Sequence, residues 1–441
     1  MISVLGSIGL LCLCWVASVR IRKTPPWVIL VTGAIPMALA WNESPPLRLA
    51  ISSLILLYFV KAAALLASPV QPRGTGAFIY ATVWPGIDPQ GLDQRGKAIP
   101  EAGGRFRRGY AKFWVGLAAC GLLAWVTPAL SASTAGAMGI AALLLTVHLG
   151  FSDMLTAGLQ SQGYAVKPLF EDPLKADTLN DFWTRRWNLA FVQMNRILFL
   201  KPLIRILGMR GAIVAVFVVS GVLHECAISY PVMAGWGGPL LYFVMQAVLV
   251  ALERKWGIRS RFWTWSMLLL PIPLLFHEPF RVGLVAPLFS NLGAWMHSLT
   301  FQSFWSLALP LLGLMHFLIL AASAQVPSRL NWKEELGRLS PLNRKLMWTY
   351  GIFIVLCIVA FGTMTIVLRG SILKGDQTAL WLCGFIAVFW GLRLVVDNFV
   401  LTHEDWPQGS ELEIGHVLLT TLFLVLTLGY GGIVAASLLT R

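Results

Sequence analysis

Apolar runs near the length of a membrane-spanning helix recur along the whole chain and leave few architectures open. They fall at about 2–19, 27–41, 48–68, 113–130, 136–158, 211–230, 238–252, 262–276, 304–325, 347–367, 379–400 and 414–437. A helix of roughly 20 residues crosses the hydrocarbon core of a bilayer, where only helices and closed barrels satisfy their own backbone. Charged residues make up 12% of the chain and hydrophobic ones 57%; a soluble domain carries about twice that charged share. The expected fold is all-α: a polytopic transmembrane helical bundle of about 11–12 spans, with interfacial or re-entrant helices around a buried His.

A net charge of +14 could point to nucleic acid, but the placement of the charges points elsewhere. The stretches 20–26, 69–112, 159–210, 253–261 and 326–346 hold 27 of the 34 Lys and Arg residues, while 131–135 and 231–237 hold none. This alternation is the positive-inside pattern, which puts those five loops in the cytoplasm and the N-terminus outside. The basic excess then serves topology and contact with anionic lipid, and no basic-aromatic soluble domain exists to bind nucleic acid. Residues 2–19 lack a basic segment ahead of them, with Arg20, Arg22 and Lys23 following. They read as a first span rather than a cleaved signal. Which membrane holds the chain is open between a cell inner membrane and an endomembrane.

Cys12, Cys14, Cys120, Cys226, Cys357 and Cys383 lie in or beside apolar runs, without zinc or disulfide spacing, and read as small buried hydrophobes. Residues 69–112 are rich in Gly, Pro and Arg and predict a long irregular loop. Its Arg105, Arg107 and Arg108 suit either a lipid surface or the phosphates of an acyl-CoA. Residues 159–210 are too polar for a span and too aromatic for a plain loop, which predicts interfacial or re-entrant helices lining a cavity. Residues 327–342 read as an amphipathic interfacial helix and a linker. The domain boundary is therefore set at 325/326, with 326–441 a C-terminal transmembrane extension.

The chemistry concentrates in two stretches. One is Asn180-Asp181-Phe182-Trp183-Thr184-Arg185-Arg186-Trp187-Asn188; the other is Ser220-Gly221-Val222-Leu223-His224-Glu225. The second lies in an apolar run, where titratable groups are costly and usually functional. With Pro168-Leu169-Phe170-Glu171-Asp172-Pro173 upstream, the chain resembles the membrane-bound O-acyltransferase superfamily in its wax synthase-like branch. That branch carries Pro-x-Phe-x-x-Pro, then Phe-Trp-Gly-Arg-Arg-Trp-Asn, then Ser-Gly-x-x-His-Glu. Order and spacing both fit over about residues 140–300, except that Thr184 stands where the family usually has Gly.

The resemblance implies an acyl-CoA-dependent O-acyltransferase that esterifies a lipid alcohol, with a sugar, terpenoid or sterol hydroxyl as the alternative acceptor. It needs no cofactor, since acyl-CoA is a co-substrate; its partners are the thioester, the hydroxyl acceptor and membrane lipids, and the oligomeric state is open. A neutral imidazole suits His224 for general-base work. Asn188 offers both a donor and an acceptor to orient the hydroxyl or hold the thioester carbonyl. Arg185 and Arg186 suit CoA phosphates or, equally, membrane anchoring. Trp183 and Trp187 read as walls, with Phe182 beside them. Asp181 and Glu225 complete the set of candidate substrate-binding residues; Glu225 points about 100° away from His224 on a helix and suits a partner Arg. Cys226 is poorly spaced for a nucleophile–base pair with His224.

The remaining histidines, His148, His277, His297, His316, His403 and His416, show no metal-ligand spacing, and no metal is expected. Arg393 and Asp397 form an i,i+4 pair within a span, either mutually neutralising or a second site for an ion or headgroup. The competing class is a lipid transporter without chemistry. Transporters often show two similar halves, and none is visible here.

Overall fold

The computed structural model describes residues 26–401 and 409–439. The expected span at 2–19, Cys12, Cys14, and His403, Glu404 and Asp405 lie outside the described residues. Among the described residues the regular elements are helices, and an isolated bridge joins Arg95 to Tyr164. Eight helices are long and apolar enough to cross a membrane, or nine if Arg261–Leu275 and Glu278–Ser298, bent by 69°, form one span. The chain is thus an integral, multi-pass helical membrane protein.

Some expected spans change character. The run at 27–41 breaks into Pro26–Thr32 and Ala34–Leu39. The run at 238–252 is part of the helix Gly238–Trp256, whose last turns carry Glu253, Arg254 and Lys255. The run at 262–276 is the first arm of the bent pair.

Packing divides the chain between His297 and Ser298. The sequence placed a boundary at 325/326. By packing, Phe301–Ser323 groups with the C-terminal helices, because Trp305, Leu309 and Leu312 share a core with Ile386, Leu426 and Tyr430.

In the first unit, Ala102–Val126 lies close against the continuous helical run Ala132–Ser161. Small residues permit this approach, as they do at membrane helix interfaces. A Cβ on Gly109 would stand 2.7 Å from Cβ of Asp153, and one on Gly116 would stand 2.7 Å from the backbone nitrogen of Thr146. Buried Asp153 then takes Lys112 at 2.7 Å and Arg105 at 3.2 Å. Residues 102–112, expected to be irregular loop, are therefore the opening turns of a helix. Arg105, a candidate for lipid or phosphate, is held between Asp153 and Glu171.

Five π-helical turns occur among the described residues, all in this unit: Leu144–Phe151, Phe182–Arg186, Asn195–Leu200, Glu225–Ser229 and Arg281–Val285. Such turns cluster at functional sites, and here one forms part of the first motif and another follows His224 directly.

The second unit is built from Phe301–Ser323, Pro341–Val367, Gln377–Phe399 and Ser410–Leu439. Its connection at 326–338 is three short turns, Val326–Arg329, Trp332–Glu335 and Leu336–Arg338, instead of the expected interfacial helix. His316 is fully buried and satisfied: Trp390 Nε1 donates to its Nε2 at 3.1 Å, and its Nδ1 lies 3.0 Å from the Leu312 carbonyl. Asp397 is buried and binds Arg393 at 3.3 Å, Thr420 at 2.7 Å and His416 at 3.2 Å. The expected Arg393–Asp397 pair is thus part of a wider polar knot between two helices.

Candidate active site

The first motif is held from below by the helix Gly238–Trp256. The buried Glu253 carboxylate accepts the N–H of Leu179 at 2.6 Å and of Asn180 at 3.1 Å, and Arg254 donates to Asn180 Oδ1. Gln246 accepts from Trp183 Nε1 at 3.2 Å. Phe182 and Trp187 stack with ring centroids 5.4 Å apart. These anchors turn the chain so that Trp187 is extended and Asn188 is left-handed, φ +44°. Asparagine adopts that conformation more readily than most residues. Helix Leu189–Met194 starts directly after it.

The Pro168–Pro173 stretch is strapped to the motif. The N–H of Glu171 donates to the Arg186 carbonyl at 2.9 Å, and the N–H of Leu189 to the Leu169 carbonyl at 2.8 Å. Arg186 returns bonds to the carbonyls of Glu171 and Asp172 and pairs with Asp181. Lys175, 2.6 Å from Asp172, holds that carboxyl below the usual carboxylate range.

The second motif divides its labour by residue. Gly221 admits the neighbouring helix: a Cβ there would stand 2.9 Å from Cα of Leu240. Glu225 Oε1 accepts the N–H of Gly237 at 2.9 Å and of Leu240 at 3.0 Å, capping the helix Gly238–Trp256. Glu225 was expected to find an arginine; the free N–H groups of a helix start take it instead. His224 Nδ1 lies 2.7 Å from the Ser220 carbonyl. A carbonyl only accepts, so Nδ1 carries the proton and the neutral ring offers Nε2 as its acceptor.

Two cavities meet at these residues. One, of about 330 Å³, runs between the faces of residues 188–200 and 213–224. The other, of about 490 Å³, is walled by Leu57, His148, Phe170, Met194 and Leu223 among others. Asn188, Phe191 and His224 line both. The rings of Trp183, Phe243, His224 and Phe191 form one aromatic contact chain, with His224 4.4 Å from Phe243 and 5.6 Å from Phe191 between centroids.

The structure therefore brings together His224, Asn188, Trp183 and Trp187, all of which line the first cavity. Asp181, Arg185, Arg186 and Glu225 are not among the lining residues of either cavity. Asp181, Arg186 and Glu225 are engaged in the framework, while Arg185 is exposed. Nothing in the sequence singles out Phe191, Phe243, Gln246 or Glu253. Asn195 could have been found, since it stands two helical turns beyond Asn188. His148, which shows no metal-ligand spacing in the sequence, lies on the wall of the larger cavity, 5.7 Å from the Phe170 ring.

Residues 166–245, which contain this whole constellation, match the membrane bound O-acyl transferase family. The chain is 31% identical over 115 residues to a probable long-chain-alcohol O-fatty-acyltransferase 7 of Arabidopsis thaliana, covering 22% of this chain and 34% of the relative. It is 32% identical over 100 residues to the long-chain-alcohol O-fatty-acyltransferase of Simmondsia chinensis, covering 21% and 28%. An acyl-CoA–sterol O-acyltransferase 1 of Arabidopsis thaliana is 35% identical over 72 residues, covering 15% and 21%. The chain thus spans 21–34% of the length of these curated relatives. Residues 166–245 of the chain are thus similar to the membrane bound O-acyl transferase family, and two of these relatives are named as long-chain-alcohol acyltransferases.

Proposed function

We propose that this protein transfers an acyl group from acyl-CoA to the hydroxyl of a lipid alcohol within the membrane, forming a wax-type ester. The observation that carries this reading is the shared wall: His224 and Asn188 face two cavities at once, so two substrates can reach one imidazole from different sides. His224 Nε2 takes the hydroxyl proton as the oxygen attacks the thioester carbonyl. The Ser220 carbonyl stabilises the imidazolium through Nδ1. The Asn188 amide donates to the carbonyl oxygen as negative charge gathers there. The C–S bond then breaks, and Nε2 returns its proton to the departing thiolate. Guanidinium suits phosphate, and exposed Arg185 is the arginine of the motif free to meet the nucleotide end of CoA.

A sterol acceptor is the second reading, favoured by the sterol-named relative and by the volume of the larger cavity. The test is mass spectrometry of esters made by membranes carrying the wild-type protein or His224→Ala, supplied with long-chain acyl-CoA and either a fatty alcohol or a sterol. Ester from the wild type alone supports the reading, and the productive acceptor selects between the two. No ester from the wild type with any pair of substrates would leave a lipid transporter as the better account.

A further inference from the structure

Asn195 is a polar side chain set in an apolar wall. It lines the smaller cavity, and its Oδ1 is buried without a hydrogen-bond partner. A buried amide left unpaired costs free energy, and each such group calls for an explanation. Nothing in the fold needs this one: the surrounding helix begins, turns and packs without it. Its place is informative. Asn195 lies seven residues after Asn188 on the same cavity wall, which at 1.5 Å per residue is about 10 Å along the helix. Beyond it the cavity is lined by exposed Arg196 and half-buried Leu200.

A carboxamide offers one acceptor and two donors, so its natural complement is another amide. The thioester arm of CoA carries two. The one farther from sulfur lies eight bonds from the thioester carbonyl carbon. That is roughly 9–10 Å when extended, at about 3.5 Å for every three backbone-like bonds. With the carbonyl held at Asn188, this second amide falls beside Asn195.

We propose that the smaller cavity is the channel of the thioester donor and that Asn195 is a positioning residue that pairs with the second amide of the pantetheine arm. The alcohol then reaches His224 from the larger cavity. This inference rests on the acyltransferase reading above and adds the side from which each substrate arrives.

The test uses donor analogues of graded length in membranes carrying the full chain. An S-acyl-N-acetylcysteamine has the first amide only; an S-acyl-pantetheine has both amides and no phosphate. Asn195→Leu removes an unpartnered polar group, so the protein is expected to insert as the wild type does. It should raise KM for S-acyl-pantetheine and for acyl-CoA about 3- to 10-fold, the range for one neutral hydrogen bond. KM for the cysteamine thioester should stay unchanged. Asn195→Ala must show the same selectivity, which guards against an artefact of the leucine side chain. Equal effects on all three donors, or none on any, would overturn the assignment of Asn195 while leaving the acyltransferase reading intact. Failure of the wild type to make ester from every thioester would sink that reading, and this inference with it.

Discussion

The backbone carbonyl of Ser220 stands 2.7 Å from Nδ1 of His224, one helical turn away. This contact fixes the tautomer, and it depends on the backbone of residue 220 rather than on its hydroxyl, which donates to the Val216 carbonyl at 3.0 Å. His224→Ala should therefore lower the ester-forming rate by at least about 10²-fold, the lower end for loss of a general base. Ser220→Ala should stay within a few-fold of wild type. Steady-state rates on equal amounts of inserted protein check both.

Asn188 combines a left-handed backbone with a side chain on both cavities. Asn188→Ala should lose activity through the missing amide and also lose some stability, because alanine adopts the left-handed conformation less readily than asparagine. Asn188→Gly should lose comparable activity with little loss of stability. Thermal unfolding in detergent, read beside the rate, separates the two effects; full activity in the glycine variant would remove the amide from the mechanism.

Glu225 caps a helix. Glu225→Gln keeps an oxygen for Gly237 and Leu240, and should retain most of its stability and activity. Glu225→Ala leaves two N–H groups without their acceptor and should cost about 1–3 kcal/mol, seen as a lower melting temperature. If Glu225→Gln were instead as inactive as His224→Ala at wild-type stability, the carboxylate would have a chemical role.

The two motif arginines should behave differently. Arg186 is bound to Asp181 and to the backbone of Glu171 and Asp172, so Arg186→Ala should lower stability and the yield of folded protein. Arg185 is exposed, so Arg185→Ala should leave stability unchanged and raise KM for acyl-CoA more than for the alcohol. An unchanged KM for the thioester would assign Arg185 to membrane anchoring.

The Lys and Arg distribution predicts that the stretches 69–112 and 159–210 face the cytoplasm. Single cysteines at Lys97 and Lys167, both exposed, should react with an impermeant reagent only from that side. Gly91 is unsuitable for labelling, because a Cβ there would stand 2.7 Å from the Ala165 carbonyl oxygen.

What could be read in advance follows from how local each signal is. The helical bundle was legible because apolar runs report helix after helix without reference to the tertiary fold. His224 and Asn188 were legible because a titratable group in an apolar run and an aromatic-basic segment stand out against their neighbours. Glu253 was not: its partners, the N–H groups of Leu179 and Asn180, lie more than 70 residues away, and it looked like the polar end of a span. Arg186 looked like a cation for a ligand because its acid, Asp181, has to be folded onto it by the π-helical turn between them. The broken run at 27–41 and the bent pair around His277 depend on backbone geometry that hydropathy does not register.

On the acyltransferase reading, the wall shared by the two cavities lets both substrates be bound at once. With an entrance on each side of His224, neither substrate must leave before the other can arrive, and no protein nucleophile need carry the acyl group in between. Initial rates measured against both substrates should give lines that intersect, where a covalent acyl-protein would give parallel ones. Excess alcohol should saturate the enzyme without competing against the thioester, because each has its own way in.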